Sequence, residues 1–251
     1  MRRHRWLAAT LVVAGFVVLW WSGARDSRIF PTPQQALAGM LELARQGTLI
    51  KHVVASLYRV TVGYGLAVVL AIPVGSLMGW YPGVFNALNP MVQLLRPISP
   101  IAWIPLAILW FGVGDRSPIF LIFLSSFFPV VVSTAAGVHL VEQPYIRAAQ
   151  NFGLRGLELY RRVIFPAALP TIITGMRVGL GVAWLVVVAA EMVAINSGLG
   201  FLIIDARNAG TRYDLVVAGM AIIGVIGFLL DYLMRRLETM DEVRWRYGSL
   251  R

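Results

Sequence analysis

Cysteine is missing altogether from the 251 residues, and lysine occurs once, as Lys51 between Ile50 and His52. Without thiols there is no disulfide, no thiolate nucleophile and none of the usual cysteine-based zinc spacings. A P-loop needs Gly-Lys-Ser/Thr to cradle phosphates, and the surroundings of Lys51 do not supply it. If ATP drives this protein, another subunit must bind the ATP. His4, His52 and His139 lie far apart in sequence, which leaves an enzyme or metal reading little to hold. No catalytic residue, metal site or cofactor is therefore expected. Acidic residues are scarce, 12 against 22 basic ones, and charge makes up only 14% of the chain.

Apolar surface fills the chain instead: 58% of residues are hydrophobic and the mean hydropathy is +0.74, more than a water-soluble domain can hide. A helix needs about 20 apolar residues to cross a bilayer, fewer where aromatics and arginines anchor its ends. Candidate spans are residues 7–21, 53–80, 92–111, 119–139, 171–195 and 216–234. The expected fold class is an all-α integral membrane protein of about six transmembrane helices.

A formal charge of +10 would suggest nucleic acid in a soluble protein, but here the basic residues sit in short loops, where they set topology. With the N-terminus inside, Arg2, Arg3, Arg5, Arg147, Arg155, Arg161, Arg162, Arg235, Arg236, Arg244, Arg246 and Arg251 face the cytoplasm. Arg25, Arg28, Arg45, Lys51, Arg116, Arg207 and Arg212 fall outside. The expected surroundings are membrane lipid and no nucleic acid. The basic start and Ser22-Gly23-Ala24 also fit a cleaved secretory signal. Trp6, Trp20 and Trp21, however, bracket the first run as interfacial anchors would. The expected domains are an N-terminal transmembrane anchor over 1–29 and a core over 30–251, with a cytoplasmic loop at about 140–170.

Phe30-Pro31-Thr32-Pro33 stops any helix, and residues 34–46 then resume as a short amphipathic helix at the outer surface. The second span carries Arg59, Gly63, Gly65, Pro73, Gly75 and Gly79 and is long enough to be tilted, or bent near Pro73. Tyr81-Pro82-Gly83 makes an inside turn. Pro97, Pro100 and Pro105 open the third span, so free carbonyls there must meet protein or water. This is a broken helix lining a translocation path, or else an interfacial turn packed on its neighbours. In the fifth span Gly175, Gly179 and Gly181 allow close approach to a neighbour, and Glu191 interrupts its end. Asn196 to Gly200 form an outer turn, followed by a short surface helix over 201–208. An ionisable residue within a span costs about 3 kcal/mol on insertion scales and is a functional candidate by default. The translocation-path candidates are Arg59, Arg96, Ser99, Arg177 and Glu191, with Asp231 available as a partner for Arg177.

The most informative segment is 147–166, RAAQNFGLRGLELYRRVIFP, polar and basic between apolar runs. Ala148 and Ala149 suit a closely packed helix, Gly153 can turn the chain tightly, and a second short helix would run to a stop at Pro166. Its spacing resembles the coupling motif of binding-protein-dependent ABC importer permeases: Glu-Ala-Ala, three residues, Gly, nine residues, Ile-x-Leu-Pro. Ala148, Ala149, Gly153 and Pro166 keep their places. Arg147 stands for the usual glutamate, Val163 for isoleucine and Phe165 for leucine. Further along the chain, Ala55-Ser56-Leu57-Tyr58-Arg59-Val60, Leu94 to Pro100, Ile108 to Gly114, Ala189-Ala190-Glu191-Met192 and Ser197-Gly198-Leu199-Gly200 resemble the sulfonate, taurine and nitrate branch of that family.

The resemblance implies a type I ABC importer permease, multi-pass in the bacterial cytoplasmic (inner) membrane. Its implied partners are cytoplasmic ATP-binding subunits, an extracytoplasmic solute-binding protein and a second permease copy in a homodimer or pair. Arg147, Ala148, Ala149, Gly153 and Pro166 would couple it to the ATPase. The implied cargo is a small oxyanion such as a sulfonate, taurine, nitrate or bicarbonate. The same architecture also serves vitamin precursors, amino acids and other small solutes. An ion-coupled secondary transporter or channel would need no ATPase, and Glu191 would be its chief coupling group.

Overall fold

The computed structural model describes residues 2–25, 27, 30–210 and 212–238, and all regular structure among them is helical. Helix α1 (Arg2–Ala24) runs across the first apolar run. The next helix, α2 (Pro33–Arg45), begins at the segment expected to end one. Thr32 is its N-cap: the Thr32 hydroxyl accepts from the Gln35 N–H, and the Gln35 side chain accepts from the Thr32 N–H at 2.8 Å. Pro33 fits the first turn because its missing N–H would have had no helical partner there.

Helix α3 (Thr48–Trp80) continues through Pro73 for 33 residues. At about 1.5 Å per residue it reaches about 50 Å, well beyond the hydrocarbon core. The third span differs from a straight crossing of 92–111. Only Tyr81 separates α3 from α4 (Pro82–Leu95); a 3-10 turn (Pro100–Trp103) then leads to α5 (Ile104–Phe111), bent by 84° from α4. The expected break is there, but the helix before it starts ten residues earlier. Pro82 causes this, since a first-turn proline favours helix over an extended turn.

Helices α6 (Arg116–His139), α7 (Gln143–Asn151) and α8 (Gly156–Leu159) follow. A π turn (Tyr160–Ile164) joins α8 to α9 (Phe165–Ala194), and α10 (Leu199–Asn208) and α11 (Tyr213–Glu238) complete the chain. The expected helix stop at Pro166 does not occur: residues from Gly156 to Val193 form one continuous helical run. The wider turn explains it. The Phe165 N–H already reaches back five residues to the Tyr160 carbonyl, so Pro166 enters a helix whose local register has been opened to receive it. Among the described residues four helical runs are long and apolar enough to span a membrane, or five if the bent pair counts as one.

Helices α3, α6 and α9 form the packed centre. Gly63, Ala67, Ala71, Gly75 and Gly79 recur every fourth residue of α3, and Ala67 and Ala71 are fully buried. A Cβ on Gly63, Gly75 or Gly79 would lie 2.7, 2.6 or 2.6 Å from the carbonyls of Ile119, Val131 and Ala135. Water-driven burial contributes little between helices in lipid, so close backbone approach carries the association. Across α6 and α9, Gly175 faces Ser133 and Gly179 faces Val130 and Ser126. Gly181 looks onto open space, contrary to expectation, because two helical residues turn it about 200° from Gly179.

Gly75→Ala is expected to destabilise by about 1–3 kcal/mol through overpacking, whereas Gly65→Ala, with nothing near its Cβ, is not. Thermal unfolding in detergent checks this, with a Tm drop of at least about 2 °C expected for Gly75→Ala alone.

Arg212 ties α2 to the start of α11, 2.7 Å from Glu42 and 2.8 Å from Asp214. The hydrogen bond from Arg212 holds the Glu42 carboxyl below the ordinary carboxylate range.

Candidate functional site

The turn between α7 and α8 combines a fixed base with an exposed tip. Gly153 has φ +82° and Gly156 φ +52°, both left-handed, which side chains with a Cβ adopt at a cost. Nothing lies within 4 Å of a Cβ placed on Gly153, so the requirement there is conformational and not steric. The turn closes when the Gly153 N–H donates to Gln150 at 2.9 Å and the Leu154 N–H to Ala149 at 3.1 Å.

Ala149, Leu159 and Ile164 are buried against Val138 at the end of α6 and Val141 just beyond it, and against Ala168 and Ile172 of α9. The Tyr160 hydroxyl reaches the Ser76 hydroxyl of α3 at 2.6 Å. The base is thus seated on all three central helices. Arg147, Ala148 and Phe152 are exposed, Phe152 to 88%, and so is Leu157. Arg162 pairs with Glu158 at 3.0 Å on the surface. Pro166 is exposed at the start of α9. Of the sequence-level coupling residues, then, Ala149 anchors the turn and Gly153 shapes it, while Arg147 and Ala148 face outward. Phe152 was not among those residues, although an aromatic beside a turn glycine is visible in the sequence.

A second constellation lies towards the opposite end of α3 and is buried. Arg59 donates to Glu191 at 2.6 Å; the two side chains are 1% and 0% exposed. Glu191 also accepts from the Ser56 hydroxyl at 2.8 Å and the Gly200 N–H at 3.0 Å. Arg59 continues to the Ser197 carbonyl at 2.9 Å, the Ser197 hydroxyl at 2.5 Å and Asp115 at 2.8 Å. Ser56 in turn accepts from the Leu199 N–H at 2.9 Å, and the Nδ1 of His52 from the Gly198 N–H at 3.0 Å. Glycine is required at 198 twice over, by a φ of +104° and because a Cβ would collide with the Glu191 carboxylate. The cluster therefore holds together α3, α9, the turn before α10 and the loop before α6. Sequence reasoning selected Arg59 and Glu191 separately; it did not foresee that they meet, nor the part of Asp115, which arrives from 56 residues away.

The other candidates do not join this cluster. Arg177 binds Asp231 at 2.6 Å and Glu238 at 3.3 Å, linking α9 to α11. Arg96 and Ser99 are exposed at the break between α4 and the 3-10 turn.

Residues 71–239 match the family described as binding-protein-dependent transport system inner membrane component. A putative ABC transporter permease protein of Methanocaldococcus jannaschii is 47% identical over 201 residues, 80% of this chain and 74% of the relative. The taurine transport system permease protein TauC of Escherichia coli is 42% identical over 90% of this chain and 85% of its own length. The putative aliphatic sulfonates transport permease protein SsuC of Bacillus subtilis is 35% identical over 98% and 90%. In fold, the inward-facing MetNI methionine ABC transporter matches with a TM-score of 0.67 at 17% identity, covering 76% of this chain and 94% of the MetNI chain. The chain therefore belongs to the inner-membrane permease subunits of binding-protein-dependent ABC importers, which work with separate ATP-binding subunits and a solute-binding protein.

Proposed function

We propose that this permease carries a small sulfonate or related oxyanion, with taurine as the first candidate, and that two copies of the chain form the membrane pair. The observation that carries the cargo reading is the 42% identity to a taurine permease over nine-tenths of the chain. An exposed arginine, Arg96, at a helix break is chemically consistent with an anion.

In this reading the α7–α8 turn is where the ATPase pushes. Arg147, Ala148 and Phe152 meet the ATPase, Gly153 sets the angle of the turn, and Ala149 and Pro166 pass its displacement into α6 and α9. Packed helices move as bodies, so closure of the ATPases is converted into alternating access. Arg59 and Glu191 hold the outer ends together, Arg177 fixes α11 on α9, and Arg96 and Ser99 border the path.

The test is vesicle reconstitution with the partner ATPase and binding protein. Taurine-loaded binding protein is expected to raise ATP hydrolysis several-fold over the unloaded protein. No response to taurine, alkylsulfonate or nitrate, with a response to an amino acid or a vitamin precursor, overturns the cargo assignment.

A further inference from the structure

Helix α4 carries a polar stripe for which the coupling chemistry has no use. Asn86, Asn89 and Gln93 recur at helical spacing, and Arg96 follows Gln93 by one turn on the same face. Asn86, Gln93 and Arg96 are exposed and Asn89 is half-buried; Gln93 donates weakly to Asn89 at 3.4 Å.

With the α7–α8 turn on the cytoplasmic side, as in the proposed function, the stripe climbs from that side to the middle of the membrane. α4 starts one residue after α3 ends, and its Val92 packs with Ala71 of α3 and Phe128, halfway along α6. Hydrocarbon is a poor neighbour for three carboxamides, for a guanidinium and for the irregular backbone of 96–99, so protein or water must cover them. Alongside lies a cavity of about 550 Å³ between α4 and the second half of α6, where Asn86, Asn89, Gln93 and His139 interrupt a mainly apolar wall that includes Phe85 and Val132. That volume suits a small solute. No acidic residue lines it.

We infer that the face formed by Asn86, Asn89, Gln93 and Arg96 lines the inner half of a water-filled anion path, the carboxamides serving as weak, neutral donors to a sulfonate or similar oxyanion. The inference rests on the oxyanion reading given above and adds the residues that the anion meets. Arg96 supplies the attracting charge near the middle of the membrane. Below it, uncharged donors replace part of the hydration shell without trapping the ion, which a conducting route requires. A face of this kind covered by a second copy of the chain would instead be dry.

The natural absence of cysteine makes a direct test possible in the complete transporter. Asn86→Cys, Asn89→Cys and Gln93→Cys are made singly, with Met91→Cys on the opposite, apolar face as reference. Each is treated in vesicles with anionic sulfonatoethyl and cationic trimethylammonioethyl methanethiosulfonate, the rates being normalised to free cysteine. Gln93→Cys and Asn86→Cys are expected to react readily and Met91→Cys slowly. Gln93→Cys should favour the anionic reagent by about 10-fold or more, the scale of electrostatic focusing in a cleft. Adding Arg96→Gln should bring that preference close to one. Unreactive stripe positions, disulfide formation between copies through Asn89→Cys, or equal rates for both reagents would each overturn the inference. Anion-selective labelling in a transporter whose ATPase ignores taurine supports the path and moves only the identity of the cargo.

Discussion

Arg59→Leu is expected to remove most of the folded protein from the membrane fraction. Glu191 is fully buried and its shortest contact is the 2.6 Å pair with Arg59. Removing one partner of a buried pair leaves an uncompensated charge and costs about 3–5 kcal/mol, a large share of total stability. The loss should be greater than for an average pair, since the same guanidinium also holds Asp115 and both oxygens of Ser197. Arg59→Lys should fail nearly as badly, because an ammonium cannot reproduce a planar fork directed at three partners. The double variant Arg59→Leu/Glu191→Leu is expected to recover part of the yield, as an apolar pair no longer buries a lone charge. Size-exclusion recovery of detergent-extracted protein measures all three. Equal recovery of the single and double variants would show that the charge pair is not what matters.

Phe152→Asp is expected to uncouple the transporter while leaving it folded. An 88% exposed side chain gives up almost no internal packing when replaced. Buried aromatic anchors at interfaces, however, commonly contribute about 2 kcal/mol or more, or roughly 30-fold in affinity. Stimulation of ATP hydrolysis by loaded binding protein should therefore fall to the unloaded level, with Tm unchanged. Gly153→Val should have the same consequence by another route. A β-branched residue resists a φ of +82°, so the turn re-forms at about 1–2 kcal/mol or swings Phe152 away. Retained ATPase stimulation in both variants would place the docking contact elsewhere.

How much of this could be read from the chain depended on the range of the interaction concerned. The apolar spans from residue 53 onward were legible because bilayer thickness imposes a length that composition alone meets. The turn between α7 and α8 was legible because Ala149 and Gly153 act locally, through helix packing and backbone conformation. Pro166 itself was misread: proline's local rule is to end a helix, and only the π turn at Tyr160–Ile164 lets the chain pass it. The Arg59–Glu191 pair was invisible because its members are 132 residues apart. Each looked like an isolated charge in a span, and isolated charges there suggest a solute pathway before they suggest each other. Asp115 gave no signal for the same reason. The carboxamides of α4 escaped notice because residues 84–91 fell between the turn at 81–83 and the span from 92, which hid their helical spacing.

The same π turn has a mechanical consequence. Because Gly156 to Val193 is unbroken over 38 residues, the docking tip and Glu191 sit near opposite ends of one rod about 57 Å long. In the proposed coupling it works as a lever with no loose joint where the ATPase would push. A tilt of about 5° at the cytoplasmic end would displace the far end by about 5 Å, more than any hydrogen bond in the Arg59 cluster can stretch. If the α7–α8 turn docks the ATPase as proposed, that turn and the Arg59 cluster compete for the position of a single beam, and one of them must yield whenever the other is driven.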